Sequence, residues 1–218
     1  RGLGDVYKRQ DANYLKGKRV GVLNSSESSE IEKGLIKKVK KVLEAKGAVI
    51  VDVEFNISSD YKAAKEFYVL LYEFNVGMKN YLTGRDLPYE TLEDIVAFNE
   101  ANSDIVLKHF GQEIFLESLK ATDTERYLKE REDIGRLAKA QIDSVLETNN
   151  LDVIIGLTRN PGWLTDLENG DSRGDGGISW SNGGLSAVAG YPHITIPLDF
   201  VNDLPVGVSF LGTAWDEA

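Results

Sequence analysis

The sequence predicts an α/β domain, and three observations carry that expectation. An apolar run, an amphipathic stretch and a second apolar run follow one another between Arg19 and Phe55. Helix-patterned segments fill most of the remaining chain up to residue 150. Beyond it, a Gly- and Pro-rich part reads as short strands and loops. The boundary is also one of charge: residues 1–150 hold 23 basic and 26 acidic side chains, whereas residues 151–218 hold 2 and 9. The last 68 residues have no Lys but carry 11 of the 21 Gly and 4 of the 5 Pro. There is no internal repeat or low-complexity tract, and 218 residues fit one large domain or part of a bigger one.

Each element has its own signal. Residues Arg1 to Gln10 show neither helical nor strand periodicity, and the chain opens on Arg rather than Met; this stretch reads as a non-native leader joined to a truncated reading frame. Arg19–Leu23 (RVGVL) is a buried strand running into the polar loop Asn24–Ser29. Ser29 with Glu32 forms a capping box, after which Ile31, Leu35, Ile36, Val39, Val42 and Leu43 make one apolar helical face. Gly47 stops that helix, and Ala48–Phe55 resumes a strand, for which parallel pairing with the first is the usual outcome. A second helical stretch starts near Asp60, with Ala63, Ala64, Phe67, Leu70, Leu71 and Phe74 as its inward stripe and Gly84 beyond its end. Thr91 with Asp94 starts a short helix through Phe98. Thr122 with Glu125 starts a longer one, directing Ile134, Leu137, Ala138, Ile142, Val145 and Leu146 inward until Asn149-Asn150 breaks it. Leu151–Leu157 is a strand, Thr158–Gly184 a long loop with seven Gly, and Leu185–Ala189 a single helical turn. Ile194–Phe200 and Val206–Leu211 are two further strands joined by a turn at Asn202-Asp203-Leu204-Pro205.

Composition excludes whole classes of function. With no Cys there is no disulfide framework, zinc–thiolate site or cysteine nucleophile. No apolar run approaches the ~20 residues of a membrane-spanning helix. A formal net charge of −10 argues against a general nucleic-acid binder, which needs clustered Lys and Arg.

Several features invite chemistry, and each has a plainer account. The Asn24–Ser29 loop precedes a helix N-terminus but lacks the glycines that let a backbone approach a phosphate. His109 sits in a loop connecting helices, and His193 lies between Pro192 and an apolar strand; neither has a nucleophile and an orienting acid beside it in sequence. Ser179 and Ser181, in the stretch Gly174–Gly184 (GDGGISWSNGG), lack a Lys nearby to act as base. Asp171 and Asp175 form a carboxylate pair of a kind common without metal. The lysines of the first helix (Lys33, Lys37, Lys38, Lys40, Lys41, Lys46) are offset by Glu30, Glu32 and Glu44 and read as a solvated face. From the residues alone, no motif identifies a reaction.

A family resemblance adds what the motifs lack. Leu151–Asp166 (LDVIIGLTRNPGWLTD), Ala187–Phe200 (AVAGYPHITIPLDF) and Leu204–Trp215 (LPVGVSFLGTAW) resemble the C-terminal third of the amidase signature family. Upstream, Leu15–Leu23 (LKGKRVGVL), Leu70–Asn75 (LLYEFN), Ile95–Asn99 (IVAFN) and Phe110–Glu113 (FGQE) follow in the family's order. The branch resembled is that of bacterial amidases acting on peptide or small carboxamides. The resemblance implies a mixed β-sheet between layers of helices, here incomplete, with residues 11–218 forming the C-terminal portion of a single amidase domain. It implies hydrolysis of carboxamide C–N bonds by a Ser nucleophile, a bridging Ser in a cis peptide and a Lys, with no cofactor and no metal.

That same resemblance puts all three catalytic groups upstream of the segment matching Leu15–Leu23, so no catalytic residue is carried over and the chain alone is expected to be inactive. What it implies for this chain is one wall of the substrate cleft, with Thr158, Asn160, Trp163, Asp166 and Trp180 as the substrate-binding positions. The expected partner is a small-molecule or peptide amide, with neither nucleic acid nor membrane; cytoplasm is the default compartment. Without the strands of the missing part, Arg19–Leu23 and Ile194–Phe200 are expected to expose unpaired edges, and the isolated chain to aggregate. The competing expectation is a non-catalytic α/β ligand-binding or interaction module.

Overall fold

The computed structural model describes residues 11, 13–24, 29–54, 58–63, 66–168 and 183–216. These divide into two compact units, and the second interrupts the first in sequence: residues 1–62, 135–162 and 175–218 form one, residues 63–134 and 163–174 the other. The Arg1–Gln10 leader, most of the Asn24–Ser29 loop, and Ser179, Ser181, Trp180, Asp171 and Asp175 all lie outside the described residues.

The first unit is built on a five-stranded sheet in the order β2-β1-β3-β5-β4. Its strands are β1 (Arg19–Asn24), β2 (Val49–Glu54), β3 (Val153–Leu157), β4 (His193–Val201) and β5 (Leu204–Leu211). β1 pairs in parallel with both β2 and β3, while β5 runs antiparallel to both β3 and β4, so the sheet is mixed, as expected. β1 is accordingly an interior strand, which corrects the expectation that Arg19–Leu23 would lie open. Its two neighbours both come from this chain, one through a short crossover and one from beyond residue 150.

Helices cover both faces of this sheet. The crossover helix α1 (Glu30–Ala45) starts at Ser29, whose Oγ accepts from Glu32 N at 3.2 Å. It buries Leu35, Ile36, Val39 and Leu43 against Val20, Val22, Ile155, Leu157, Val206 and Val208. Gly47, at φ 86°, turns the chain back toward β2 through a conformation that costs other residues energy. The opposite face takes the C-terminal part of α7 (Thr124–Thr148) and the six-residue α8 (Gly184–Ala189). There Ala138, Ile142, Leu146 and Ala189 pack on Ile154 and Leu211. Five of the six α7 positions expected inward, Ala138 and Ile142 among them, fall in the described cores or beside them, and Leu137 is half-buried. The α7 cap is Asp123 in place of the expected Thr122: its Oδ1 accepts from Arg126 N, in the first turn, at 3.0 Å.

Polar ties lock the ends of the strands. Asp152 accepts from Lys18 Nζ and Arg19 N, and Arg19 donates to the carbonyls of Asn149 and Asn150. Asn150, at φ 49°, makes the left-handed turn between α7 and β3. The β4–β5 turn uses only Asn202 and Asp203, at φ 49° and 63°, so Leu204 and Pro205 belong to β5.

The lysine face of α1 is paired as well as solvated. Lys33 meets Glu30 at 2.7 Å, Lys38 bonds to Asp199 and Lys40 to Asp52. At β4 the expected exposure is present: Ile194 is 61% exposed, Ile196 43% and Phe200 67%.

The second unit is helical: α3 (Glu66–Leu82), α4 (Leu92–Ala101), α5 (Ser103–Val106), α6 (Glu113–Lys120) and the start of α7. The short α2 (Ser59–Ala63) precedes it. The helical stretch expected from Asp60 is present on both sides of residues 64–65, which lie outside the described residues. Phe67 and Leu70 are exposed where burial was expected; Leu71 is buried as expected, and Val69, outside the expected stripe, is buried as well. The α3 sequence is apolar around most of its circumference, so packing decides the inward face. Phe74 stacks on Phe115 of α6 at 5.4 Å, and Asn75 Nδ2 donates to Ser118 O at 3.3 Å. The capping box at Thr91 and Asp94 forms in full. Among the described residues no helix is long and apolar enough to cross a membrane.

Candidate functional site

β3 delivers Thr158 to the end of the sheet, and β4 and β5 bring two further hydroxyls to it. Facing residues on adjacent strands share a side of the sheet, and Thr195 of β4 stands opposite Ser209 of β5. Thr158 N donates to Gly207 O at 2.9 Å, which continues the β3–β5 ladder by one step. The three side chains close into a ring. Ser209 Oγ donates to Thr158 Oγ1 at 2.8 Å, Thr158 Oγ1 to Thr195 Oγ1 at 3.4 Å, and Thr195 Oγ1 lies 3.3 Å from Ser209 Oγ. Ser209 is wholly buried, Thr158 half-buried and Thr195 exposed, so the ring runs from the interior to the surface.

Gly207 makes the approach possible. A Cβ there would stand 2.7 Å from Thr195 Cγ2 and 3.1 Å from both Thr158 Oγ1 and Ile196 O. No side chain fits without displacing the ring.

A second polar cluster fixes the connection into β4. Tyr191 donates from its hydroxyl to Asp143 Oδ2 at 2.9 Å, and Thr213 Oγ1 donates to Asp143 Oδ1 at 3.3 Å. Burial, and then the bond to Asp143, push the Tyr191 pKa above its ordinary value. Gly190, at φ 68°, ends α8 so that Tyr191 N reaches Ser186 O at 3.1 Å. Ser186 Oγ is buried without a hydrogen-bond partner among the described residues. His193 follows on the exposed start of β4, where partial desolvation of its ring beside β5 lowers its pKa.

The expected site residues divide between the two units. Thr158 and Asn160 stay with the sheet, while Trp163 and Asp166 belong to the second unit. Asp166 Oδ1 accepts from Glu168 N at 2.9 Å, turning the chain after Trp163. Trp180 lies outside the described residues. His109 also meets this segment, with Nδ1 3.2 Å from Leu167 O, a structural bond in keeping with its loop position. Among the described residues, no cluster of three or more His, Asp or Glu is gathered as a metal ion would need. Thr195, Ser209 and Gly207 were not singled out from the sequence, because their meeting with Thr158 depends on the observed β4–β5 register.

The profile of the family described as Amidase matches residues 5–218. The chain belongs to the amidase family. Its relation to the peptide amidases within that family is close in both sequence and fold. A peptide amidase solved with the competitive inhibitor chymostatin is 35% identical, with a TM-score of 0.85 over 100% of this chain and 44% of the other. The native peptide amidase of Stenotrophomonas maltophilia is 33% identical, with a TM-score of 0.83 over 100% of this chain and 43% of the other. A glutamyl-tRNA(Gln) amidotransferase subunit from Exiguobacterium sibiricum is 26% identical over 94% of this chain and 43% of its own length. The chain thus spans less than half the length of these amidase-family relatives.

Proposed function

We propose that this chain is part of an amidase that hydrolyses carboxamide C–N bonds, and that it supplies substrate-binding surface while the reacting groups come from the remainder of a family-length protein. The observation that carries this reading is the match of the amidase family over residues 5–218, supported by 35% identity to a peptide amidase. The reaction is acyl transfer through Ser, bridging Ser and Lys. The Lys takes the nucleophile's proton through the bridging Ser, the Ser oxygen attacks the carbonyl, the amine leaves with that proton, and water then releases the acid. Substrate contact is assigned to Thr158, Asn160, Trp163, Asp166 and Trp180, with residues 11–218 as the C-terminal portion of one amidase domain.

A chimera tests this directly. The chain replaces the matching 43% of the S. maltophilia peptide amidase, and ammonia release from N-acetyl-L-phenylalaninamide is measured. Hydrolysis by the chimera and none by the 218-residue chain is the expected result. A folded but inert chimera, or turnover by the chain alone that Ser179→Ala or Ser181→Ala abolishes, would overturn the reading.

A further inference from the structure

The hydroxyl ring has a direction. Each hydroxyl has one proton to donate and two lone pairs that accept, so three hydroxyls joined by three links have one proton for each link. Ser209 spends its proton on Thr158, and Thr158 spends its own on Thr195. Either oxygen can donate across the third link, but only donation from Thr195 uses every proton once. The circuit therefore runs from Ser209 to Thr158 to Thr195 and back.

A closed circuit leaves no proton pointing outward. Each oxygen retains one lone pair outside the ring, and that of Ser209 is sealed in the sheet, because this residue is 0% exposed. An incoming molecule thus meets the lone pairs of Thr158 and Thr195. Among the described residues no charged side chain hydrogen-bonds to these oxygens, so nothing ionic competes for the position. Gly207 keeps the surface beside them free of side chain.

We propose that the Thr158–Thr195 edge is an acceptor site for the N–H groups of a primary carboxamide, and that Ser209 is the positioning residue that sets its polarity. The proposal rests on the amidase reading and goes further, because it names the contact that separates substrate from product. A carboxamide brings two N–H donors to the two lone pairs. The carboxylate left after hydrolysis only accepts, so it faces lone pairs with lone pairs and loses the contact. The ring holds the amide and releases the acid.

The test uses the whole 218-residue chain and ligand-observed saturation-transfer NMR, which tolerates self-association of the protein. The probes are N-acetyl-L-phenylalaninamide, its N,N-dimethylamide and the free acid. The primary amide is expected to bind roughly tenfold more tightly than the other two, the scale of one net hydrogen bond. Thr195→Val should erase that advantage. Ser209→Ala should also erase it while improving the acid, because the proton of Thr195 then turns outward; a purely structural role for Ser209 would weaken all three probes alike. Circular dichroism of both variants establishes that they are folded. Equal binding of the primary and dimethylated amides, an advantage that survives Thr195→Val, or no signal from any probe would each overturn the proposal. If the chimera hydrolyses amides while the ring shows no preference, only this inference falls; if the folded chimera is inert, the amidase reading falls with it.

Discussion

Asp152 accepts from Lys18 Nζ at 2.9 Å and from Arg19 N at 2.8 Å, so one carboxylate joins the starts of β1 and β3. The bond from Lys18, followed by that from Arg19, holds its pKa below the ordinary 3.8. A carboxylate whose pKa is lower in the fold than in the unfolded chain stabilises the fold fully above the unfolded value. That contribution is lost as pH falls through the folded value. Because the pair is partly exposed and screened, it is worth no more than about 1 kcal/mol. Asp152→Asn should therefore lower stability to urea at pH 7 by up to about this amount, with the gap to the parent closing in acid below pH 3.8. A gap of the same size at pH 2 and pH 7 would show that the charge is not what Asp152 contributes.

At the scale of elements, what was legible depended on whether local chemistry or packing made the decision. Ser29, Gly47, Thr91 and Asn150 act through their own backbone neighbours, and each does what its residue type dictates. The inward face of α7 was legible because its polar and apolar residues alternate cleanly. α3 offered too many apolar residues for periodicity to choose among, and contact with α6 chose instead. The hydroxyl ring was hidden for a different reason. Val201 pairs with Leu204, and an uninterrupted ladder from that turn would place Thr195 opposite Phe210. The register shifts by one between Pro197 and Asp199, and Thr195 meets Ser209 instead. A bulge of this kind reverses which residues share a face, and no spacing rule in the sequence announces it. Thr158 could be read as a site position from family resemblance, but its partners required the register.

Across the whole molecule, the two edges of the sheet differ in character. β2 carries Asp52 and Glu54, both exposed, and charge of this kind discourages further strands. β4 instead presents Ile194 and Ile196, with no charged residue between His193 and Leu198. The 218-residue chain is therefore expected to self-associate through β4. Ile194→Lys combined with Ile196→Lys should raise the monomer fraction in sedimentation, whereas Val49→Lys on β2 should leave it unchanged; a monomeric parent chain, or no response to the β4 pair, would count against this. The interrupted first unit also sets an order in time. β4 and β5 are joined by a two-residue turn, but the Lys18–Asp152 bond beside the β1–β3 pairing spans 134 positions. Closing a loop the size of residues 63–134 costs roughly 4 kcal/mol of chain entropy before any contact forms, by logarithmic scaling with length. The hairpin should gain amide protection early in refolding and β1 late, as read by pulsed hydrogen exchange; protection of both strands in the same phase would refute that order. During that interval β3 has β5 but not β1 beside it, so the strand that carries Thr158 to its ring is held along one edge before the other.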